Sequence, residues 1–327
     1  MSRTDTDSLH TPLRLGLGLA AVGRPAYITA GREHDLGEQR GVGDLRRRCM
    51  QVLDAAYAGG IRYLDVARSY GRAEEFLAAW LSDHPQVEDV VIGSKWGYRY
   101  VGGWRVDADV HEVKDHSLTA FTEQLGQTQA LLGGRLDVYH VHSATLETGV
   151  LDDTRLHREL AKLRETGVRV GVSTSGPGQA QTVLRALDVM VDGEPLFTSI
   201  QSTWNPLEPA AGPALQEAAA RGARVIVKEA LANGRLAPGG DDGTAGVRRA
   251  TQLAEALGLS IDQLAIAAAA AQPWAWRVLS GAATPEQVTS NLAGAQVRLP
   301  PDWLTELESL AQPPHAYWAD RSQRPWT

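Results

Sequence analysis

The chain has 327 residues, 43% hydrophobic and 22% charged, a balance that allows a large buried core. Its net charge of −7 and pI near 5.7 argue against nucleic acid or an anionic membrane surface as a partner. Cys49 is the single cysteine, which excludes an intrachain disulfide and implies a reducing, cytoplasmic location.

Residues 1–12 read as a polar N-terminal tail without the basic and apolar segments of a secretory signal. No apolar run approaches the roughly 20 residues of a membrane span. From Leu13 to Ala20 apolar residues alternate with Gly16 and Gly18, predicting a first strand whose backbone is closely approached. The Gly- and charge-rich stretch from Val22 to Gly43 predicts a long first loop acting as a rim or lid. Asp44 stands where it would cap a helix running to Gly59, with Leu45, Val52, Leu53 and Ala56 on one face and Cys49 packed inside it.

The stretch from Gly60 to Leu77 is the most informative. Ile61, Tyr63 and Asp65 alternate with Arg62 and Leu64, so Asp65 closes a short strand on a bulky face, where a carboxylate needs a partner. Tyr70 lies in the turn before Gly71, and Ala73, Phe76, Leu77 and Trp80 follow at helical spacing. In βα units of this kind, chemistry gathers where strands end.

Val90–Lys95 is an apolar strand that ends on a lysine. The loop from Trp96 to Asp109 carries Trp96, Tyr98, Tyr100 and Trp104, enough aromatic surface to wall a pocket. A long helix is predicted from Glu112 to Leu132, with Leu118, Phe121, Leu125, Thr128 and Leu132 inward. Leu136–His142 is the next strand, with Val138, His140 and His142 on one face.

The rhythm repeats through helix Asp152–Thr166, strand Val168–Ser173, helix Gln179–Leu187, strand Phe197–Ser202, helix Ala210–Arg221 and strand Arg224–Lys228. Helices Ala245–Leu257 and Ser260–Ala271, strand Arg277–Leu279 and helix Pro285–Ala293 follow. Eight strands alternating with helices predict an α/β fold, a (β/α)8 TIM barrel forming a single domain over residues 13–312. The chain from Trp303 on, with residues 313–327 as a C-terminal tail, is predicted to fold back over the barrel mouth or an edge.

The pattern Asp-x-Ala-x-x-Tyr-Gly-x-x-Glu, here Asp65, Ala67, Tyr70, Gly71 and Glu74, resembles the signature of the aldo-keto reductase family. Asp137, Tyr139 and His142 match a second family stretch, Asp-x-Tyr-x-x-His, and the resemblance extends to the helix at Asn291. It implies a catalytic tetrad of Asp65, Tyr70, Lys95 and His142, and reduction of an aldehyde, ketone or sugar carbonyl by hydride from NAD(P)H. Tyr70 would donate the proton. Lys95, held by Asp65, would lower the tyrosine pKa from about 10. His142 would orient the carbonyl.

The same resemblance implies cofactor contacts at Gly18, at Ser173, Thr174 and Gln201 around the carboxamide, and at Lys228, Leu231, Asn233 and Arg235 after the seventh strand. Gly281, Thr284, Gln287 and Asn291 would hold the adenosine end. Thr174 replaces the usual Asn, keeping a hydroxyl and losing an amide. Lys228 replaces the aromatic that stacks on the nicotinamide, and a charge there would disfavour the oxidised cofactor unless Glu229 neutralises it. Gly281 and Gln287 stand where cations for a 2′-phosphate often sit. NADP(H) is the preferred expectation, with NAD(H) as the alternative.

Other classes remain open. His140-Val141-His142 has the spacing of a barrel metal site, although no further ligand cluster stands at the other strand ends, and His140 fits equally as a buried residue one layer deeper. Lys228 could form a Schiff base in a lyase. A non-catalytic cofactor-binding subunit is a third alternative on such a barrel.

Overall fold

The computed structural model describes residues 13–29, 35–240 and 242–327. Eight parallel strands close into a barrel: β1 (Leu15–Gly18), β2 (Tyr63–Asp65), β3 (Val91–Trp96), β4 (Val138–Ala144), β5 (Arg169–Thr174), β6 (Ser199–Thr203), β7 (Arg224–Lys228) and β8 (Arg277–Ser280). Each pairs with its neighbours in chain order, and β8 pairs back onto β1 through Leu15 and Val278. Short apolar runs bounded by glycine and polar turns are buried on both faces, as a parallel sheet covered by helices requires. This is the predicted (β/α)8 architecture. Eleven α-helices are present among the described residues, and no single helix there is long and apolar enough to cross a membrane.

Inside the barrel Tyr63, Val138, Ile226 and Leu279 form a separate apolar cluster, with the Tyr63 ring edge-on to Trp276 at 5.3 Å. The period of two then carries Asp65, His140 and Lys228, each two residues past a member of that cluster, toward the C-terminal mouth. The strands therefore deliver polar side chains to one end over an apolar plug.

Four expectations are corrected. Helix α1 (Val42–Ala58) starts before Asp44, so Asp44 lies in its first turn beside Arg47, and Gly41 occupies the cap without a side-chain bond. Residues Glu112–Lys114 are a strand paired antiparallel with Tyr98–Tyr100, and the helix after them, α3, following α2 (Ala73–Asp83), covers only Leu118–Leu132. Ser117 accepts the Ala120 amide there, and this cap stops the helical pattern from extending back. Trp96 is core, packed edge-on against Phe121 at 5.1 Å, so the aromatic loop rises from its neighbours as a hairpin arm. The inner face of α3 carries Ala120, Phe121, Gln124, Thr128 and Leu132, because the helix is rotated to let Gln124 accept the Gly97 amide. Part of the predicted lid, residues 30–34, and the tail 1–12 lie outside the described residues.

The chain ends on the barrel mouth. Two late helices, Pro301–Glu308 and Pro314–Gln323, precede a last segment whose Thr327 exchanges both backbone hydrogen bonds with Tyr27, at 3.1 and 3.2 Å. Trp326 stacks flat on His111, 4.4 Å between centroids. The C-terminus and the first loop thus close on each other beside the hairpin arm.

Candidate active site

Asp65 ends β2 and Lys95 lies near the end of β3, and register sets them together: Asp65 is opposite Gly93, two residues before Lys95. Lys95 is wholly buried, donates to the Asp65 carboxylate and gives a second bond to the Val66 carbonyl at 3.0 Å. Gln201, from β6 across the barrel, donates to the other Asp65 oxygen at 2.8 Å. A buried carboxylate without such partners would cost several kcal/mol. Here both oxygens are occupied.

Tyr70 is placed by its own turn. Gly71 has φ +60°, and a Cβ on it would come within 2.5 Å of the Gly23 carbonyl. Gly23 in turn would clash with the Tyr70 carbonyl at 2.4 Å, and the Arg72 amide donates to Gly23 at 2.8 Å. Two glycines therefore press the first loop against the Tyr70 turn. Glu74, the last residue of the motif, is buried and accepts from Ser94 at 2.6 Å and Thr128 at 2.9 Å while pairing with Arg68. It ties the turn to β3 and α3.

The Lys95 ammonium lies 4.7 Å from the centre of the Tyr70 ring. Burial first, then the Asp65 charge, pushes the Tyr70 hydroxyl well above its ordinary pKa, with Arg24 opposing. This corrects the expectation that Lys95 would lower it. Lys95 is engaged by Asp65 and lies over the Tyr70 ring, and burial keeps the Tyr70 hydroxyl protonated in the free protein.

His142, on β4, packs edge-on to Tyr70 at 5.5 Å and to Tyr98 of the hairpin arm at 5.0 Å. Burial, then Lys95, Lys228 and Arg24, holds it well below the usual imidazole range, so it is neutral. Its Nδ1 meets the Ser69 hydroxyl at 3.4 Å. Ser69 was not singled out in the sequence, and its position next to Tyr70 is the only signal for it. His140 lies one layer deeper, with Nε2 2.9 Å from the Ser199 hydroxyl, and burial depresses it to about 3. Among the described residues no group of three or more His, Cys, Asp or Glu side chains could hold a metal ion.

From Tyr70 a cleft of about 420 Å³ runs along the mouth to helix α9 (Pro285–Gln296), the ninth in the chain. Asp65, Tyr70, Gly18, Gln201, Lys228, Leu231, Asn233, Gly281, Gln287 and Asn291 line it. Six residues named from the sequence do not: Lys95 is bound to Asp65, His142 packs edge-on to Tyr70, Ser173 accepts the Ser143 amide, Thr174 donates to Ser202, Thr284 caps α9, and Arg235 is paired with Asp242. Gly281 presents bare backbone, since a Cβ there would meet nothing within 4 Å. Non-glycine residues with positive φ cluster on the wall, at Glu229 (56°), Ala232 (48°) and Asn233 (55°). Such strain persists where surrounding bonds hold it, as Asn233 is held by the Ile28 carbonyl at 3.0 Å.

Lys228 donates to Thr203 at 2.7 Å and lies 3.7 Å from Glu229, which Arg321 of the final helix grips at 2.5 Å. Burial holds Lys228 down to about 8. Against the desolvation of burial, Arg321 and Lys228 hold Glu229 at about 2. One carboxylate thus serves two cations and leaves the trio net positive. On the other side of Tyr70, the buried Arg24 binds Glu112 at 2.7 Å and lies within 4.8 to 5.2 Å of the Tyr27, Tyr70 and Trp326 rings.

The model of the aldo/keto reductase family matches residues 45–312. An uncharacterized oxidoreductase of Bacillus subtilis is 25% identical over 306 residues, covering 86% of this chain and 93% of its own. The holo form of an aldo-keto reductase from Bacillus halodurans superposes with a TM-score of 0.67 at 20% identity, covering 92% of each chain. An aldo/keto reductase from Klebsiella pneumoniae, in complex with NADP and acetate, superposes with a TM-score of 0.62, also at 20% identity and 92% coverage of each chain. With four-fifths of its length matched by the family and the barrel common to both structures, the chain belongs to the aldo/keto reductase family of oxidoreductases.

Proposed function

We propose that this protein reduces the carbonyl group of a small aldehyde, ketone or sugar, with Tyr70 as proton donor. The observation that carries the reading is the convergence of Tyr70, Lys95, Asp65 and His142, with Asp65 and Tyr70 lining a cleft of about 420 Å³ that runs to α9. The cleft fits a dinucleotide cofactor: Gly18 and Gly281 offer bare backbone, Gln201 and Asn291 offer amides, and Leu231 an apolar wall. When bound, the nicotinamide supplies the hydride that attacks the carbonyl carbon.

The chain's own residues complete the reaction. Tyr70 gives its proton to the carbonyl oxygen as charge develops there. Lys95, 4.7 Å from the ring, stabilises the tyrosinate that remains. Neutral His142, its Nδ1 3.4 Å from the Ser69 hydroxyl, would orient the same oxygen by donating from Nε2 in the tautomer whose Nδ1 accepts from Ser69. Tyr98, Trp326 and the first loop exclude water around the substrate.

The likeness to the Klebsiella protein in its NADP complex, and the family pattern, favour NADP(H). The carboxylates of Asp35, Asp262 and Glu286 at the adenosine end weigh against that form. Following cofactor absorbance with a panel of aldehydes and ketones tests the reading. Tyr70→Phe is expected to lower turnover by roughly 10²-fold or more while cofactor binding persists. Undiminished turnover in that variant would refute the assignment.

A second reading rests on Lys228, whose amine is held to about 8 in the cleft wall and could attack a carbonyl as a lyase base. Borohydride trapping of a substrate carbon on Lys228 is its test. A cofactor-binding subunit without catalysis is the third, and measurable turnover of a simple aldehyde removes it.

A further inference from the structure

We infer that the cleft selects a dinucleotide without a 2′-phosphate, NAD(H), through Asp35 and Gln287. The inference rests on the reading of this cleft as the nicotinamide cofactor site. If the reacting ring lies beside Tyr70, the adenosine must lie at the opposite end, among Gly281, Gln287, Ser290, Asn291 and Asp35.

That end is built to accept hydrogen bonds rather than to hold an anion. The Gln287 amide donates to the Asp35 carboxylate at 2.8 Å, and its carbonyl accepts the Ala283 amide at 2.8 Å. Both ends of the Gln287 side chain are therefore fixed, and Asp35 is held across the cleft from α9. A carboxylate in this position matches a ribose diol, which donates two hydrogen bonds. It opposes a phosphate, which brings further negative charge to the same place.

The other charges add to the effect. Glu286 and Asp262 also line this end, Asp262 already accepting from Asn291 at 2.9 Å. Among the described residues lining the cleft, Lys228 is the one cation, and it stands at the Tyr70 end. Arg48 donates to the Asp35 backbone carbonyl at 2.7 Å but does not line the cleft. Helix α9 points its N-terminus here, yet its donors are taken. Thr284 accepts the Gln287 amide, and the Glu286 carboxylate is held below its usual range by its own backbone amide and the Thr284 hydroxyl. A phosphate would have to displace a carboxylate from its own helix terminus.

The test is equilibrium binding, by calorimetry or quenching of the tryptophan emission, of NADH and NADPH to the full chain at two ionic strengths. The expected result is at least tenfold tighter binding of NADH, narrowing as salt screens the repulsion. The double variant Asp35→Ser/Gln287→Arg is expected to gain NADPH affinity by tenfold or more and to lose NADH affinity, because the carboxylate that accepts from the ribose diol is gone. Equal or tighter binding of NADPH by the wild-type chain would overturn the inference while leaving the cofactor site standing. Binding of neither form would overturn the cofactor reading itself, and this inference with it.

Discussion

Replacing Lys95 with methionine keeps an unbranched side chain only one atom shorter and removes its charge, which largely isolates the buried pair from the packing. Lys95 and Asp65 are 0% and 2% exposed, so the abandoned carboxylate is left largely desolvated at the edge of the cleft, with Gln201 still donating to it at 2.8 Å. Breaking such a pair from one side costs about 3–5 kcal/mol. With an unfolding entropy near 2.1 cal/mol/K per residue, that lowers the Tm of a chain of 327 residues by roughly 4–7 °C. The double variant Lys95→Met/Asp65→Asn removes the stranded charge and leaves an acceptor for Gln201, so it is expected to recover at least half of that loss. Differential scanning calorimetry of the wild type, both single variants and the double variant measures the coupling, and carbonyl reduction by each measures function. Turnover is expected to stay near background in both Lys95 variants, separating the stability of the pair from its chemistry. If the single and double variants melt within about 1 °C of each other, or Lys95→Met melts like wild type, the pair is not the coupled unit argued here.

Two further outcomes follow from the same charges. His140 is neutral with a depressed pKa of about 3 in the fold and about 6.5 unfolded. Below pH 6.5 the unfolded chain binds the extra proton, so stability falls with falling pH by up to about 1.4 kcal/mol per pH unit from this residue. His140→Gln should remove one such contribution, and chemical denaturation between pH 7 and 4 should give a shallower slope; parallel curves would refute the burial argument. Lys228→Met should raise affinity for the oxidised cofactor relative to the reduced one by a few-fold at pH 7. The difference from wild type should shrink above pH 8, where Lys228 sheds its proton, and an unchanged ratio of the two affinities at pH 7 would show that Lys228 does not act on the ring.

Much of this molecule was legible because its signals are local. Strand β2, the Tyr70 turn and the start of α2 occupy one continuous stretch, where period two gives way to helical spacing around a glycine that must adopt positive φ. Alternation likewise put Val138, His140 and His142 on one face, and eight such units imply a closed barrel. The helix start at Leu118 and the hairpin arm before it were not legible. Glu112–Lys114 becomes a strand only by pairing with Tyr98–Tyr100, a partner twelve or more residues away.

What the sequence by itself determined was the order of βα units and the identity of the polar residues at their ends, since both follow from periodicity and turn chemistry. The tertiary structure alone decided how those residues act on one another. Closure of the barrel brings Gln201 to Asp65 from 136 residues away, and the last helix brings Arg321 to Glu229 from 92. The first loop carries Asp35 to Gln287 over 252 residues. Burial in that closed mouth, not any local motif, holds Tyr70 protonated and His142 neutral, because desolvation depends on what surrounds a group in space rather than along the chain.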